Sequence, residues 1–237
     1  MRPEIIVALD VPSREDAVRV LDQMPDAIMW YKVGLELFTA EGPAALAPLH
    51  ERGKHIFLDL KLHDIPNTVQ KAVARAMHHG ISMLTVHAGG GRKMLEKARE
   101  AVITGDGSAL RLLAVTTLTS LDQQDLDALG IQRPLPEHTL ALGRLAVSCG
   151  IDGLVCSPLE VPAFRQSLGR EALLVTPGIR PLGTPTNGQK RVTTPADAVA
   201  AGADFLVMGR AITKATDPAA AVRGALEEVD AAYARLQ

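Results

Sequence analysis

The chain has 237 residues, of which 47% are hydrophobic and 3% aromatic, and 25 basic and 27 acidic residues give it a formal net charge of -2. It is therefore long and apolar enough to bury a sizeable core. Its balanced charge and few aromatic side chains argue against a nucleic-acid surface, which needs a basic stripe and stacking platforms. No apolar run approaches the roughly 20 residues that cross a bilayer, and the N-terminal MRPEIIVALDVPS has no signal-peptide pattern. We therefore expect a soluble, cytoplasmic protein that binds neither nucleic acid nor membrane.

Two cysteines, Cys149 and Cys156, belong to no C-x-x-C pair and have no histidine at metal-site spacing. This pattern predicts buried free thiols in a reducing compartment.

Short apolar runs alternate with longer amphipathic stretches along the chain. The apolar runs are mostly continuous, which is typical of parallel strands covered by helices. The stretches between them have helical periodicity, and the first opens with Ser13 as a helix N-cap, followed by acidic residues. The predicted strands are residues 4–10, 28–34, 54–61, 83–88, 110–118, 152–157, 172–178 and 203–209.

These strand–helix units follow one another without a linker or a low-complexity tract. They predict a single α/β domain over residues 1–237, folded as a (β/α)8 TIM barrel. A doubly wound open sheet is the alternative. Its dinucleotide-binding version needs GxGxxG after the first strand, where this chain has DVPS.

Charged side chains lie at the ends of the first strands, where barrels carry their catalytic residues. Asp10 ends the first strand, Lys32 is near the end of the second, and His87 ends the fourth. On the third strand Asp59 and Lys61 share one face, because side chains alternate along a strand, and the neighbouring leucines face the helices. An ion pair that caps the barrel is one interpretation. Burying several charges is costly, however, and this favours a functional site.

The charges Lys32, Asp59, Lys61 and Asp64 can hold a proton donor beside developing negative charge. The chain has no HExxH, no His/Cys zinc cluster, no GxSxG and no Walker loop. A divalent metal on Asp59 and Asp64 is an alternative, although the lysines already compensate these carboxylates.

Two glycine-containing loops follow the seventh and eighth predicted strands, PGIRPLGTPTNGQKR and MGRAIT. Barrels often bind phosphate in these loops, through backbone N–H groups. Arg180 and Arg210 supply bidentate donors, and Gln189 supplies a neutral one. Ordinary loops with solvated arginines are the alternative, but the two loops together favour a phosphate site.

The run DLKLHDIPNTV at residues 59–69 resembles the signature of the orotidine 5′-phosphate decarboxylase family. The resemblance extends over nearly the whole chain, in order and in spacing. The other similar segments are ALDVPS at 8–13, YKVGLELF at 31–38, VTTLTS at 115–120, TPGIRP at 176–181 and GADFLVMGRAIT at 202–213.

The resemblance implies decarboxylation of orotidine 5′-monophosphate (OMP) to UMP and carbon dioxide, the last step of de novo UMP synthesis, without metal or organic cofactor. It implies that Lys61 protonates C6 of the pyrimidine, and that Lys32, Asp59 and Asp64 complete the charged array. It also implies a homodimer in which Asp64 and Thr68 of each chain complete the partner's site.

The resemblance assigns contacts to each part of the substrate. It implies that Asp10 and Thr68 contact the ribose and that Thr119 and Pro177 lie near the base. It also implies that residues of the two glycine-containing loops bind the phosphate. The full substrate-binding set that it implies is Asp10, Lys32, Asp59, Ile65, Thr68, Thr119, Pro177, Arg180, Gln189, Gly209 and Arg210.

Three other functions remain open. One is a metal-dependent decarboxylase or aldol-type synthase acting on ketohexulose phosphates, although such enzymes lack the HDIPNT continuation. A second is a Schiff-base aldolase with Lys61 or Lys32 as the nucleophile. A third is a non-catalytic protein that binds nucleotide phosphates, against which the intact set of Asp59, Lys61 and Asp64 argues.

Overall fold

Eight parallel strands form a closed barrel in the computed structural model, which describes residues 2–105, 110–181 and 193–237. Each strand pairs with the next in the chain, and β8 pairs with β1. The strands are β1 Glu4–Ala8, β2 Trp30–Gly34, β3 His55–Leu62, β4 Met83–His87, β5 Arg111–Val115, β6 Gly153–Val155, β7 Leu173–Thr176 and β8 Phe205–Met208. The predicted (β/α)8 barrel is therefore confirmed, with each strand inside or within one residue of its predicted range.

Helices connect the strands around the outside of the barrel. Three short ones, α2, α6 and α10, have 7, 6 and 4 residues and were not predicted from the sequence. In the described residues, no helix combines the length and the apolar content needed to cross a bilayer. The α-helices are α1 Arg14–Leu21, α2 Leu35–Glu41, α3 Ala47–Glu51, α4 Pro66–Met77, α5 Gly91–Ile103, α6 Gln123–Ala128, α7 Leu135–Ser148, α8 Val161–Leu168, α9 Pro195–Ala201, α10 Arg210–Thr213 and α11 Pro218–Ala234.

Local sequence signals begin two of these helices. The Ser13 side chain caps α1 by accepting a hydrogen bond from the Asp16 backbone N–H, as predicted. Pro66 is the first residue of α4, a position where its missing N–H is not needed. Cys149 and Cys156 are both free and buried, as predicted.

Two apolar cores support the mouth of the barrel. The larger one lies between the strands and the helices and includes Leu58. The smaller one fills the inside of the barrel, where the rings of Trp30 and Phe205 pack edge to face with centroids 5.1 Å apart. Lys32 and Asp59 lie two residues beyond the inward-facing Trp30 and Phe57, so strand alternation turns them inward as well. The charges therefore lie above a packed apolar floor.

Strand β3 is irregular at the point where its charged residues begin. Leu58 is opposite Leu84 of β4, but Leu62 is opposite Val86, so β3 uses two more residues than β4 over this distance. Lys61 has φ 51°, and it is the one non-glycine residue with positive φ in the described ranges. Such a backbone persists only where the surroundings hold it, and it is concentrated at functional sites.

Candidate active site

Four side chains of alternating charge form a row across the mouth of the barrel, which we call the charged row: Asp10, Lys32, Asp59 and Lys61. Lys32 Nζ lies 2.8 Å from Asp10 Oδ1 and 3.8 Å from Asp59 Oδ2. Lys61 Nζ lies 2.8 Å from the same Asp59 oxygen. The row therefore contains two cations and two anions, held by β2, β3 and the segment after β1.

The charged row is most deeply buried at its centre. The side chains of Lys32 and Asp59 are 11% and 12% exposed, whereas those of Lys61 and Asp10 are 31% and 48% exposed. Buried charges are tolerated only where they are paired and hydrogen-bonded, and each member has an opposite charge beside it. The arrangement keeps a lysine ammonium and a carboxylate rigid at the edge of a cavity.

Thr85 of β4 lies beneath the row and was missed by the sequence analysis. It is fully buried, and its Oγ1 accepts a hydrogen bond from the Lys61 backbone N–H at 2.8 Å and donates one to Asp59 Oδ1 at 2.9 Å. The sequence did contain a signal that could have identified Thr85: it is a polar residue in an apolar strand, two residues before His87 and therefore on the same inward face.

A cavity of 180 Å³, which we call the apolar cavity, opens beside the charged row. The charges form one wall, and mostly apolar side chains form the rest. The lining residues are Lys32, Phe57, Asp59, Lys61, Val115, Thr117, Leu118, Thr119, Val155, Pro177 and Val207.

A second cavity of 220 Å³, which we call the arginine cavity, is bordered by Arg180, Gly209 and Arg210. It shares Lys32, Pro177 and Val207 with the apolar cavity, so the two cavities lie side by side at the mouth of the barrel, which we call the cleft. Burial, together with the charge of Arg210, lowers the pKa of the Arg180 guanidinium. Two guanidinium groups close enough to repel each other suit an anionic ligand.

The segment after β3 lies outside this cleft. Asp64, Ile65 and Thr68 are exposed, with Ile65 at 68%. The Asp64 carboxylate accepts a hydrogen bond from the Ile65 backbone N–H at 2.6 Å, and in the described residues no cation of this chain lies within ion-pair distance of it. Within one chain the fourth member of the row is Asp10, and the predicted place of Asp64 in the site of a partner chain stays a prediction.

His87 lies at the rim of the site, stacked on His63 with ring centroids 5.0 Å apart. Its Nδ1 accepts a hydrogen bond from the Gly89 backbone N–H at 3.1 Å. Burial, with the nearby charges of His63 and Lys61, lowers the pKa of His87. The lowered pKa favours the neutral form of this ring.

Two further sequence hypotheses concern a metal ion and Gln189. Within one chain, Asp59 and Asp64 are not brought together as a metal pair, since Asp59 pairs with lysines and Asp64 is on the exposed segment. Among the described residues, no group of three or more His, Cys, Asp or Glu side chains could hold a metal ion. Gln189 lies outside the described residues.

A closed parallel barrel with charged residues at the carboxyl ends of its strands defines the class of (β/α)8-barrel enzymes. Residues 3–225 match the model of the orotidine 5′-phosphate decarboxylase / HUMPS family, and the chain belongs to this family. The resemblance recognised in the sequence is thereby confirmed.

Relatives are similar over almost the whole chain. The orotidine 5′-phosphate decarboxylase of Gloeothece citriformis is 49% identical over 226 residues, which cover 95% of this chain and 97% of the relative. That of Halorhodospira halophila is 48% identical over 230 residues, which cover 97% of each. The crystal structure of the Lactobacillus acidophilus orotidine 5′-phosphate decarboxylase is 39% identical, with a TM-score of 0.86 over 97% of this chain and 100% of that one.

Proposed function

We propose that this chain decarboxylates OMP to UMP and carbon dioxide, the last step of de novo UMP synthesis, without metal or organic cofactor. The observation that carries the proposal is the charged row beside an apolar cavity that continues into an arginine cavity. The names of the relatives support it, since those at 49% and 48% identity are called orotidine 5′-phosphate decarboxylase.

The two cavities match the two ends of this substrate. The phosphate binds in the arginine cavity, where Arg180 and Arg210 donate to its oxygens and Gly209 lets it approach the backbone. The pyrimidine lies in the apolar cavity, close to Thr119 and Pro177. The ribose lies between them, beside the Asp10–Lys32 pair, because Lys32 lines both cavities.

Lys61 and Asp59 carry out the chemistry at C6. Cleavage of the bond between C6 and the carboxylate releases carbon dioxide and leaves the electron pair on C6. The Lys61 ammonium, held 2.8 Å from Asp59, stabilises this carbanion and transfers a proton to it. Electrostatic stabilisation by a preorganised ammonium is the larger contribution, since it requires no rearrangement during the reaction.

Asp59 also acts on the bound substrate. The leaving carboxylate lies near the Asp59 carboxylate, and two like charges about 4 Å apart repel by about 4 kcal/mol at an effective dielectric constant of about 20. Release of neutral carbon dioxide removes this repulsion.

In this proposal, the exposed segment after β3 completes the active site of a second copy of the chain. Asp64, Ile65 and Thr68 are exposed beside the mouth, and Ile65 is a large apolar side chain that a partner would cover. In a homodimer, Asp64 and Thr68 of each chain reach the cleft of the other.

The direct test is a spectrophotometric assay of OMP in the presence of EDTA. We expect wild-type turnover and a fall in kcat of about 10² to 10⁴ for Lys61→Ala, the range for loss of general acid–base catalysis. Lys97→Ala is the matched control, since Lys97 is a surface residue of α5 paired with Glu100. Near-normal kcat in Lys61→Ala would remove the proton-donor role. Loss of activity in EDTA would favour a metal-dependent reaction, and trapping of a substrate adduct by borohydride would favour a Schiff base.

A subunit-mixing experiment tests the shared site. Lys61→Ala and Asp64→Ala chains are each expected to be inactive, and mixing them should restore about one working site per heterodimer. No recovery after verified subunit exchange would show that Asp64 acts within its own chain or not at all.

A further inference from the structure

Thr85 has a role that the catalytic proposal does not include. We propose that the Thr85 hydroxyl is a positioning group that holds the Lys61 ammonium and the Asp59 carboxylate in register. The expected effect on kcat rests on the proposed function, whereas the hydrogen-bond geometry of Thr85 does not depend on it.

The first step concerns the backbone. Residues 59–61 lie where the pairing of β3 with β4 shifts, between the Leu58–Leu84 and Leu62–Val86 partners. A backbone N–H in such an irregularity has no regular ladder acceptor, and a buried N–H needs one. Thr85 Oγ1 accepts the Lys61 N–H at 2.8 Å, so a side chain of β4 replaces the ladder bond.

The second step concerns the conformation of Lys61. Its φ of 51° is unfavourable for a residue with a long side chain, so surrounding contacts must hold it. The Lys61 amide N–H donates its hydrogen bond to Thr85 Oγ1. This nitrogen is bonded directly to the Lys61 Cα, and the orientation of that Cα directs the side chain and its ammonium. Thr85 therefore holds the strained peptide from which the proposed proton donor extends.

The third step concerns the direction of the hydroxyl proton. Since the Lys61 N–H can only donate, Thr85 Oγ1 accepts there and has one proton to give. That proton goes to Asp59 Oδ1, at 2.9 Å, and Asp59 Oδ2 is left to face Lys61 Nζ at 2.8 Å. One buried hydroxyl thus orients both the carboxylate and the amine.

Three substitutions separate positioning from packing. Thr85→Val keeps the shape and removes the hydroxyl, whereas Thr85→Ser keeps the hydroxyl and removes a methyl group. Thr176→Val is the matched control, because Thr176 is equally buried on β7 and donates to the Phe205 carbonyl, away from the charged row. If the valine variant does not fold, Thr85→Ala gives the same comparison with serine.

We expect Thr85→Val to lower kcat for OMP by about 10- to 100-fold, the range for losing a hydrogen bond to a charged group. We expect KM to change by no more than about twofold, because the hydroxyl does not line either cavity. Thr85→Ser and Thr176→Val should retain kcat, even where their melting temperatures fall. Wild-type kcat in Thr85→Val, or equal losses in the valine and serine variants, would overturn the inference.

Crystal structures of the same variants provide a test that needs no activity. We expect Lys61 Nζ to move away from Asp59 Oδ2 in Thr85→Val and to stay in Thr85→Ser. An unmoved Lys61 in the valine variant would overturn the inference. Inactivity of the wild type toward OMP, with Lys61 displaced in Thr85→Val, would refute the proposed function and leave the positioning role supported.

Discussion

Gly34 at the end of β2 leaves room for the Lys32–Asp10 ion pair of the charged row. Its backbone has φ −102° and ψ −171°, which any residue can adopt, so Gly34→Ala introduces no conformational strain. A Cβ built at this position lies 2.7 Å from Lys32 Nζ and 3.2 Å from Asp10 Oδ1. The substitution therefore acts directly on the position of the Lys32 ammonium.

The size of the effect follows from these distances. To regain a contact of about 3.5–4.0 Å, the ammonium must retreat by about 1 Å. A misplacement of that size in an active site can lower activity by about 10²-fold. The partly exposed Lys32–Asp10 pair contributes only about 0–1 kcal/mol to folding. We therefore expect kcat/KM for OMP to fall by about 10²-fold while the free energy of unfolding changes by about 1 kcal/mol or less.

Steady-state assay of OMP and urea denaturation together measure both quantities. The matched control is Gly224→Ala, since a Cβ at Gly224 in the middle of α11 meets no neighbouring atom. That variant should keep wild-type kcat/KM and gain about 0.5–1 kcal/mol from helix propensity. Wild-type kcat/KM in Gly34→Ala, with Lys32 displaced in its crystal structure, would refute the reasoning that the Lys32 position matters.

Three further outcomes are expected. Arg210→Gln should raise KM for OMP by about 10- to 100-fold through a lost charged contact, and should leave turnover of the phosphate-free nucleoside orotidine unchanged; an unchanged KM for OMP would count against the phosphate site. Because burial, His63 and Lys61 lower the pKa of His87, the folded protein favours its neutral form. This preference stabilises the folded protein above the ordinary histidine pKa, and the stability is lost as pH falls from that value through the lowered pKa of the folded state, because the unfolded chain binds the proton first. Urea denaturation of His87→Asn, which keeps a hydrogen-bond acceptor, should show a weaker pH dependence, and a slope equal to wild type would contradict this assignment. Burial raises the pKa of the Cys156 thiol, so mass spectrometry should detect alkylation at pH 8 only after unfolding; labelling of the folded protein would contradict its burial.

The sequence by itself determined the barrel and the central pair of the site. Continuous apolar runs are a local property of the chain, and they located the strands. The alternation of side chains along the third strand placed Asp59 and Lys61 on one inward face. The two loops after the last strands likewise identified Arg180 and Arg210 as neighbours, because carboxyl ends of barrel strands meet at one mouth.

Only the tertiary structure decided which charges meet. Pairing of β1 with β2 brings the segment after β1 beside Lys32, so Asp10 joins it, while Asp64 is exposed on the segment before α4. The shifted register of β3 and the contact from Thr85 also depend on the neighbouring strand. Alternation along one strand states which face a side chain occupies, but a hydrogen bond between strands depends on their relative register, and that is set by the packing of the whole barrel.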